Sequence, residues 1–146
     1  MDEFKDLAIK QLKHGESVWF GSDVVQYSET KLGIMALNTY DYNALFDMDL
    51  DMTKADALDY GQSMMDHAMV LTGVDIVDGK PTKWKVENSW GNKVGHKGYF
   101  VMSDDWMDKY CYQIVINKKY LSDKQRKVQA QDPIVLKPWD PMGTLA

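Results

Sequence analysis

Two residues of the sequence, His67 and Asn88, have the types and the spacing for acid–base chemistry. An asparagine carbonyl that accepts a hydrogen bond from one imidazole nitrogen fixes the ring and its tautomer. The other nitrogen is then free to serve a nucleophile, which is the orienting role of asparagine in a Cys-His-Asn system. On spacing alone, the alternative is a strand-end histidine with satisfied hydrogen bonds and an asparagine in a turn.

A predicted β-hairpin brings these two residues together. Two strand-like arms, residues 67–74 and 82–90, flank the turn signal Asp78-Gly79. In the second arm, apolar and charged residues alternate with a period of two, which places Asn88 on the same face as the buried-type residues before it. The start of the first arm and the end of the second therefore meet on one face of the hairpin.

The remaining elements predict an α+β fold in a single domain. Residues 2–14 are typical of an amphipathic helix, because their apolar side chains recur at helical spacing. Short apolar segments at 17–21, 98–102 and 111–116 are typical of strands, and Thr53 begins a short capped helix. We expect the N-terminal helix to lie against a strongly twisted antiparallel sheet or partial barrel, with short helices between strands.

Two stretches have no sustained pattern. Residues 22–52 are interpreted as a loop with one or two short helical turns. Residues 131–146 contain three prolines and are interpreted as an extended C-terminal tail of the domain, which spans residues 1–146.

Composition and charge exclude several classes of protein. The 146 residues are 45% hydrophobic and carry a net charge of −5, which argues against nucleic acid as a partner. No apolar run approaches the roughly 18 residues that a bilayer span requires, so no membrane partner is expected. Cys111 is the single cysteine, which excludes an internal disulfide and fits a reducing cytoplasm.

No metal site or cofactor is predicted. The alternating acids of Asp47–Asp51 resemble the start of a calcium loop, but Met52 and Leu58 stand where glycine and glutamate are required. The three histidines do not have the spacing of zinc ligands.

Three blocks of residues give a more specific signal: Asp66-His67-Ala68, Glu87-Asn88-Ser89-Trp90-Gly91 and Gly98-Tyr99-Phe100. They closely resemble the histidine and asparagine blocks of papain-like cysteine peptidases. More closely, together with Val18–Val24, they resemble the C-terminal portion of the bleomycin hydrolase and aminopeptidase C family. The likeness covers nearly the whole chain.

The resemblance implies a fold, an activity and roles for the site residues. The fold would be the β-rich lobe of a papain-like peptidase, and the activity the removal of N-terminal residues from peptides. His67 would be the general base that forms an imidazolium with a catalytic thiolate, and Asn88 would orient it. Trp90 would shield their hydrogen bond from water, and Trp90 and Ala68 would contact substrate. Complete members of the family assemble as hexamers, so a homo-oligomer is expected.

The sequence also departs from the family. The nucleophilic cysteine and the oxyanion-hole glutamine belong to an upstream helical lobe that this chain lacks. Cys111 lies downstream of both His67 and Asn88, on the predicted last strand, and is interpreted as a small buried hydrophobe. We therefore predict that the chain alone is inactive and needs the missing N-terminal helical lobe as a partner.

Two alternatives stay open. The chain could be a non-catalytic binding or regulatory module derived from the peptidase lobe, pairing with a separate helical lobe. The second alternative is that the likeness arose by chance. It would require His67 and Asn88 to lie well beyond the hydrogen-bond distance of about 3 Å.

The resemblance also gives the predicted tail a role. In the family the C-terminal arm lies in the active-site cleft, where the terminal carboxylate captures the amino group of the substrate. Ala146 would do this here through its carboxylate. The alternative is a disordered terminus.

Overall fold

The structure is a computed structural model and describes residues 1–141. It contains five short or medium helices within those residues: α1 (Asp2–Lys13), α2 (Tyr42–Phe46), α3 (Lys54–Asp59), α4 (Asp104–Tyr110) and α5 (Asp123–Gln129). The strands are β1 (Val18–Ser22), β2 (Ser28–Glu29), β3 (Ile34–Met35), β4 (His67–Val77), β5 (Lys80–Glu87), β6 (Tyr99–Ser103) and β7 (Cys111–Val115). A 3-10 turn, Lys118–Tyr120, follows β7.

All seven strands form one curled sheet, a half-barrel, in the order β2-β3-β6-β5-β4-β1-β7. The α+β class and the partial barrel are confirmed, but the sheet is mixed instead of purely antiparallel. β3 pairs in parallel with β6, whereas the other neighbours are antiparallel. A parallel pairing needs a long crossover, and more than 60 residues, including α2, α3 and the β4–β5 hairpin, separate β3 from β6.

The predicted hairpin forms β4 and β5. Val77 pairs with Lys80, so the loop contains only Asp78 and Gly79, both with positive φ, at 50° and 78°. This is the geometry of a type I′ turn, whose twist matches that of the strands. Because Leu71 pairs directly with Val86 and both are fully buried, the two arms share one core-facing side.

The core lies on the concave side of the sheet and is closed by α1 and α4. Its largest fully buried side chains are Trp84, Trp106, Phe20, Phe100, Met35, Met69 and Leu71. Ala8 of α1 is fully buried against this cluster. Lys5, also buried, joins α1 to α4 through ion pairs of 2.6 Å to Asp104 and 2.7 Å to Asp108. The helix that the sequence predicted at the N-terminus therefore covers one side of the core.

Three elements were not predicted. β2 and β3 fall within the stretch interpreted as a loop, and each has only two residues. α5 is begun by a capping box, in which Ser122 and Gln125 bond each other's backbone N–H groups. Of the predicted tail, residues 131–141 contain neither α-helix nor β-strand.

Candidate active site

His67 is the first residue of β4, at one end of the half-barrel. It pairs with Ser22 of β1 and is partly exposed. The alternation of β4 puts it on the same side as Met69 and Leu71, which are buried in the core. The imidazole therefore lies at the edge of the apolar core.

Asn88 comes directly after β5 and continues the buried side of that strand, as the sequence predicted. Its side chain is buried, and its backbone N–H donates to the carbonyl of Gly98 at 3.0 Å. The distance from His67 Nε2 to Asn88 Oδ1 is 2.9 Å. The two residues are thus in hydrogen-bond contact, which the chance likeness would not allow.

A second hydrogen bond at Asn88 fixes the tautomer of His67. The backbone N–H of Ser89 donates to Asn88 Oδ1 at 2.8 Å, so that atom must be the carbonyl oxygen of the amide. An oxygen without a proton can only accept from the histidine. His67 therefore holds its proton on Nε2, and in the neutral ring Nδ1 has the free lone pair that a base requires.

Trp90 covers one face of the imidazole. The ring centroids of His67 and Trp90 lie 4.9 Å apart with planes 27° from parallel, and Trp90 in turn meets the edge of Phe100 at 6.0 Å. Trp90 remains 40% exposed. Such a contact can keep water from one side of the His67–Asn88 hydrogen bond, and the bond is stronger where water is excluded.

Ala68 lies on the opposite side of β4 from the imidazole. It is exposed and pairs with Gly21 of β1. Its predicted contact with substrate stays a prediction, as do the roles of His67, Asn88 and Trp90 in catalysis. The predicted substrate contact of Ala146 lies outside the described residues.

Cys111 is fully buried, and it does not lie beside the His67 imidazole, as a nucleophile would have to. It pairs with Ser22 from the side of β1 opposite to His67, and its thiol donates to the carbonyl of Gln113 at 3.7 Å. Burial raises the pKa of the Cys111 thiol to about 12, with the nearby Lys54 lowering it only in part. The thiol is therefore protonated at neutral pH.

Sequence reasoning missed the polar residues that surround the start of β4. Ser22 ends β1 and Asp23 follows it directly, and both are buried. Ser22 Oγ and Asn88 Nδ2 have no hydrogen-bond partner within residues 1–141. Polar residues directly after an apolar strand, with Asp66 next to the histidine, were the available signal.

Two further properties hold for the described residues. No three His, Cys, Asp or Glu side chains among residues 1–141 come together as a metal site would require. In the same range, every helix is too short or too polar to cross a bilayer.

The fold is that of the β-rich lobe of a papain-like peptidase. The chain belongs to the Peptidase C1-like family, whose model matches residues 1–143. Along its whole length the chain is 62% identical to aminopeptidase C of Lactobacillus helveticus and 47% identical to bleomycin hydrolase of Gallus gallus. The structure of PepW from Lactobacillus rhamnosis HN001 matches 98% of the chain at 65% identity, with a TM-score of 0.94. The family expected from the sequence is confirmed.

The relatives are much longer than this chain. It spans 33% of the length of each of these three proteins. The part that matches is their C-terminal portion.

Proposed function

We propose that this chain supplies the base and its orienting amide to a cysteine aminopeptidase. In this function His67 accepts the proton of a cysteine thiol through Nδ1, and the resulting imidazolium stabilises the thiolate. The thiolate attacks the peptide carbonyl, and the imidazolium returns its proton to the leaving amine as the C–N bond breaks; water then hydrolyses the thioester and frees the thiol. The observation that supports the proposal is the 2.9 Å contact between His67 Nε2 and Asn88 Oδ1.

The nucleophile is proposed to come from outside this chain. Cys111 is buried, is protonated at neutral pH and lies two strands from His67. The chain spans one third of its relatives, so a cysteine in the remaining length of such a protein can complete the triad. We therefore propose that this third is inactive alone and works with an N-terminal helical portion.

The remaining roles follow from the likeness to aminopeptidase C and bleomycin hydrolase. Peptides are the proposed substrates, with Trp90 and Ala68 beside them. The carboxylate of Ala146 is proposed to bind the amino group of the substrate, so that residues are removed from the N-terminus. A cytoplasmic homo-oligomer is the proposed assembly.

Reconstitution tests the proposal. The purified chain is assayed on aminoacyl-coumarin substrates under reducing conditions, alone and with the complementary two thirds of the aminopeptidase C of Lactobacillus helveticus. We expect no turnover alone, and turnover with the complementary portion that His67→Ala abolishes and Cys111→Ala leaves unchanged.

Two results would oppose it. Turnover by the chain alone that Cys111→Ala abolishes would make Cys111 the nucleophile. A stable complex without turnover would favour the alternative of a non-catalytic module.

A further inference from the structure

The residues that lead into His67 are held against the end of β1 by side chains from both segments. Asp23, directly after β1, accepts a hydrogen bond of 2.7 Å from the hydroxyl of Ser63. The same carboxylate oxygen of Asp23 accepts from the backbone N–H of Met64 at 3.3 Å. We call residues 63–66 the lead-in segment.

A second set of hydrogen bonds joins the lead-in segment to the end of β1, and here the carboxylate belongs to the lead-in segment. The Asp66 carboxylate accepts from the backbone N–H of Val24 at 2.9 Å, and the Asp66 N–H donates to the carbonyl of Ser22 at 3.1 Å. Between them, the thioether of Met65 occupies the space over Gly21, where an added Cβ would lie 2.1 Å from the sulfur. Each residue of the lead-in segment therefore contacts residues 21–24.

The network continues to a third strand. The Ser63 hydroxyl lies 2.6 Å from the hydroxyl of Tyr112 in β7. Ser63 thus stands between Asp23 and Tyr112, and the lead-in segment is tied to both β1 and β7.

Asp23 occupies its position at an energetic cost. It is 3% exposed, and burial, with a contribution from the nearby Asp66, raises the pKa of its carboxyl. None of the ion pairs within residues 1–141 includes Asp23, so no cation offsets the burial. A buried carboxylate without a cation contributes little to the stability of a fold. Its hydrogen bonds instead hold the lead-in segment in one specific position beside β1.

The lead-in segment directly precedes His67, the residue on which the candidate site depends. His67 is the first residue of β4, and terminal residues of a strand open more easily than central ones. Its ladder to β5 begins only at Val70, so β1 is the neighbouring strand that pairs with His67.

We propose that Asp23 is a positioning residue for His67. Through Ser63 and the lead-in segment it keeps the start of β4 on β1, so that the imidazole stays in register with Asn88. The relevance of this positioning to catalysis rests on the proposed function, but the placement of the His67 ring can be measured without an activity assay.

The test uses the chain labelled with 15N-histidine and NMR at neutral pH. In the parent chain we expect His67 to show the Nε2–H tautomer. In Asp23→Ala and in the milder Ser63→Ala, we expect the His67 ring signals to move toward those of a free imidazole. We expect the Asp66 amide to exchange with solvent at least about tenfold faster, since its bond to Ser22 opens more often.

Two variants separate positioning from general loss of stability. Asp23→Asn keeps an oxygen that can accept from Ser63 and Met64, so we expect it to retain the parent His67 spectrum. Ser122→Ala removes the capping box of α5, which shares no bond with the lead-in segment, and should leave His67 unchanged.

The opposite results would overturn the inference. If Ser63→Ala and a folded Asp23→Ala leave the His67 ring signals as in the parent, Asp23 does not position His67. If Ser122→Ala moves those signals equally, the effect is one of stability alone. Failure of the reconstituted enzyme to use His67 would instead contradict the proposed function and leave the NMR result intact.

Discussion

Cys111 and His67 pair with the same residue, Ser22, from opposite sides of β1. Adjacent strands lie about 4.8 Å apart, so the backbones of the two residues are separated by about 10 Å. A base and its nucleophile must come within hydrogen-bond reach of about 3 Å. The sheet itself therefore keeps the chain's single cysteine away from its candidate base.

The reactivity of Cys111 provides the first prediction. Its thiol pKa is raised by burial from 9.0 to about 12, so the thiolate fraction at pH 8 is about a thousandfold below that of an unfolded chain. Labelling by an aromatic disulfide reagent at pH 8 should be slower in the native chain than in urea by at least this factor. Equal rates would contradict the buried position, and Cys111→Ala provides the unreactive control.

Replacement of Asn88 should release the imidazole. Asn88→Ala removes a hydrogen bond worth about 1 kcal/mol, so the reconstituted enzyme should lose activity several-fold to about tenfold in kcat. Asn88→Gln should not restore it, because the added methylene displaces the amide oxygen. Asn92→Ala, an exposed position in the following loop, is the matched control, and an equal loss there would contradict the role of Asn88.

Lys5 should contribute more to stability than the other lysines of α1. Lys5→Ala leaves Asp104 and Asp108 without their ammonium partner, and we expect a loss of about 1–2 kcal/mol. The figure is below that for a fully buried pair because both carboxylates are partly exposed. Urea unfolding measures it, and Lys13→Ala at the end of the same helix should change stability by less than about 0.5 kcal/mol. Equal losses would contradict the prediction.

Gly79 should be required by its backbone conformation alone. Its φ is +78° and no atom lies within 4 Å of an added Cβ, so Gly79→Ala should cost about 1–2 kcal/mol through backbone strain. Gly73 in β4 has an ordinary φ and a Cβ there would make a normal contact of 3.5 Å with Lys85. Gly73→Ala should therefore be the milder change in thermal unfolding, and the reverse order would contradict the type I′ assignment.

Local patterns in the sequence were sufficient for much of the fold and for the central pair. Apolar periodicity predicted α1, the β4–β5 hairpin and the strands β1, β6 and β7. Alternation along β5 placed Asn88 on the buried side, where it contacts His67. These features depend on residues close in sequence, and the hairpin connects the candidate site residues through a two-residue turn.

The features that were missed depend on distant partners. β2 and β3 have only two residues each, too few to show a pattern; they pair with each other locally, and β3 also pairs with β6, more than 60 positions away. Asp23 and Ser63 are 40 positions apart, and neither has a local pattern that indicates the other. Two local signals were unused: the Ser122 to Gln125 capping box of α5, and Gly33, whose positive φ closes the short loop between β2 and β3.

The type I′ turn also determines where the β4–β5 hairpin can gain or lose residues. His67 and Asn88 lie just beyond the far ends of two paired arms that begin at Asp78-Gly79, and the register shifts twice along these arms, between Asp75 and Ile76 and between Leu71 and Gly73. Extra residues inserted at the turn lengthen the loop and leave the paired arms unchanged. Deletion of one residue within an arm moves one of the two side chains by about 3.3 Å and turns it to the other face of the sheet. Homologous chains should therefore tolerate insertions at the tip of this hairpin and exclude single deletions in the regularly paired part next to the site, where Val70 pairs with Glu87 and Leu71 with Val86.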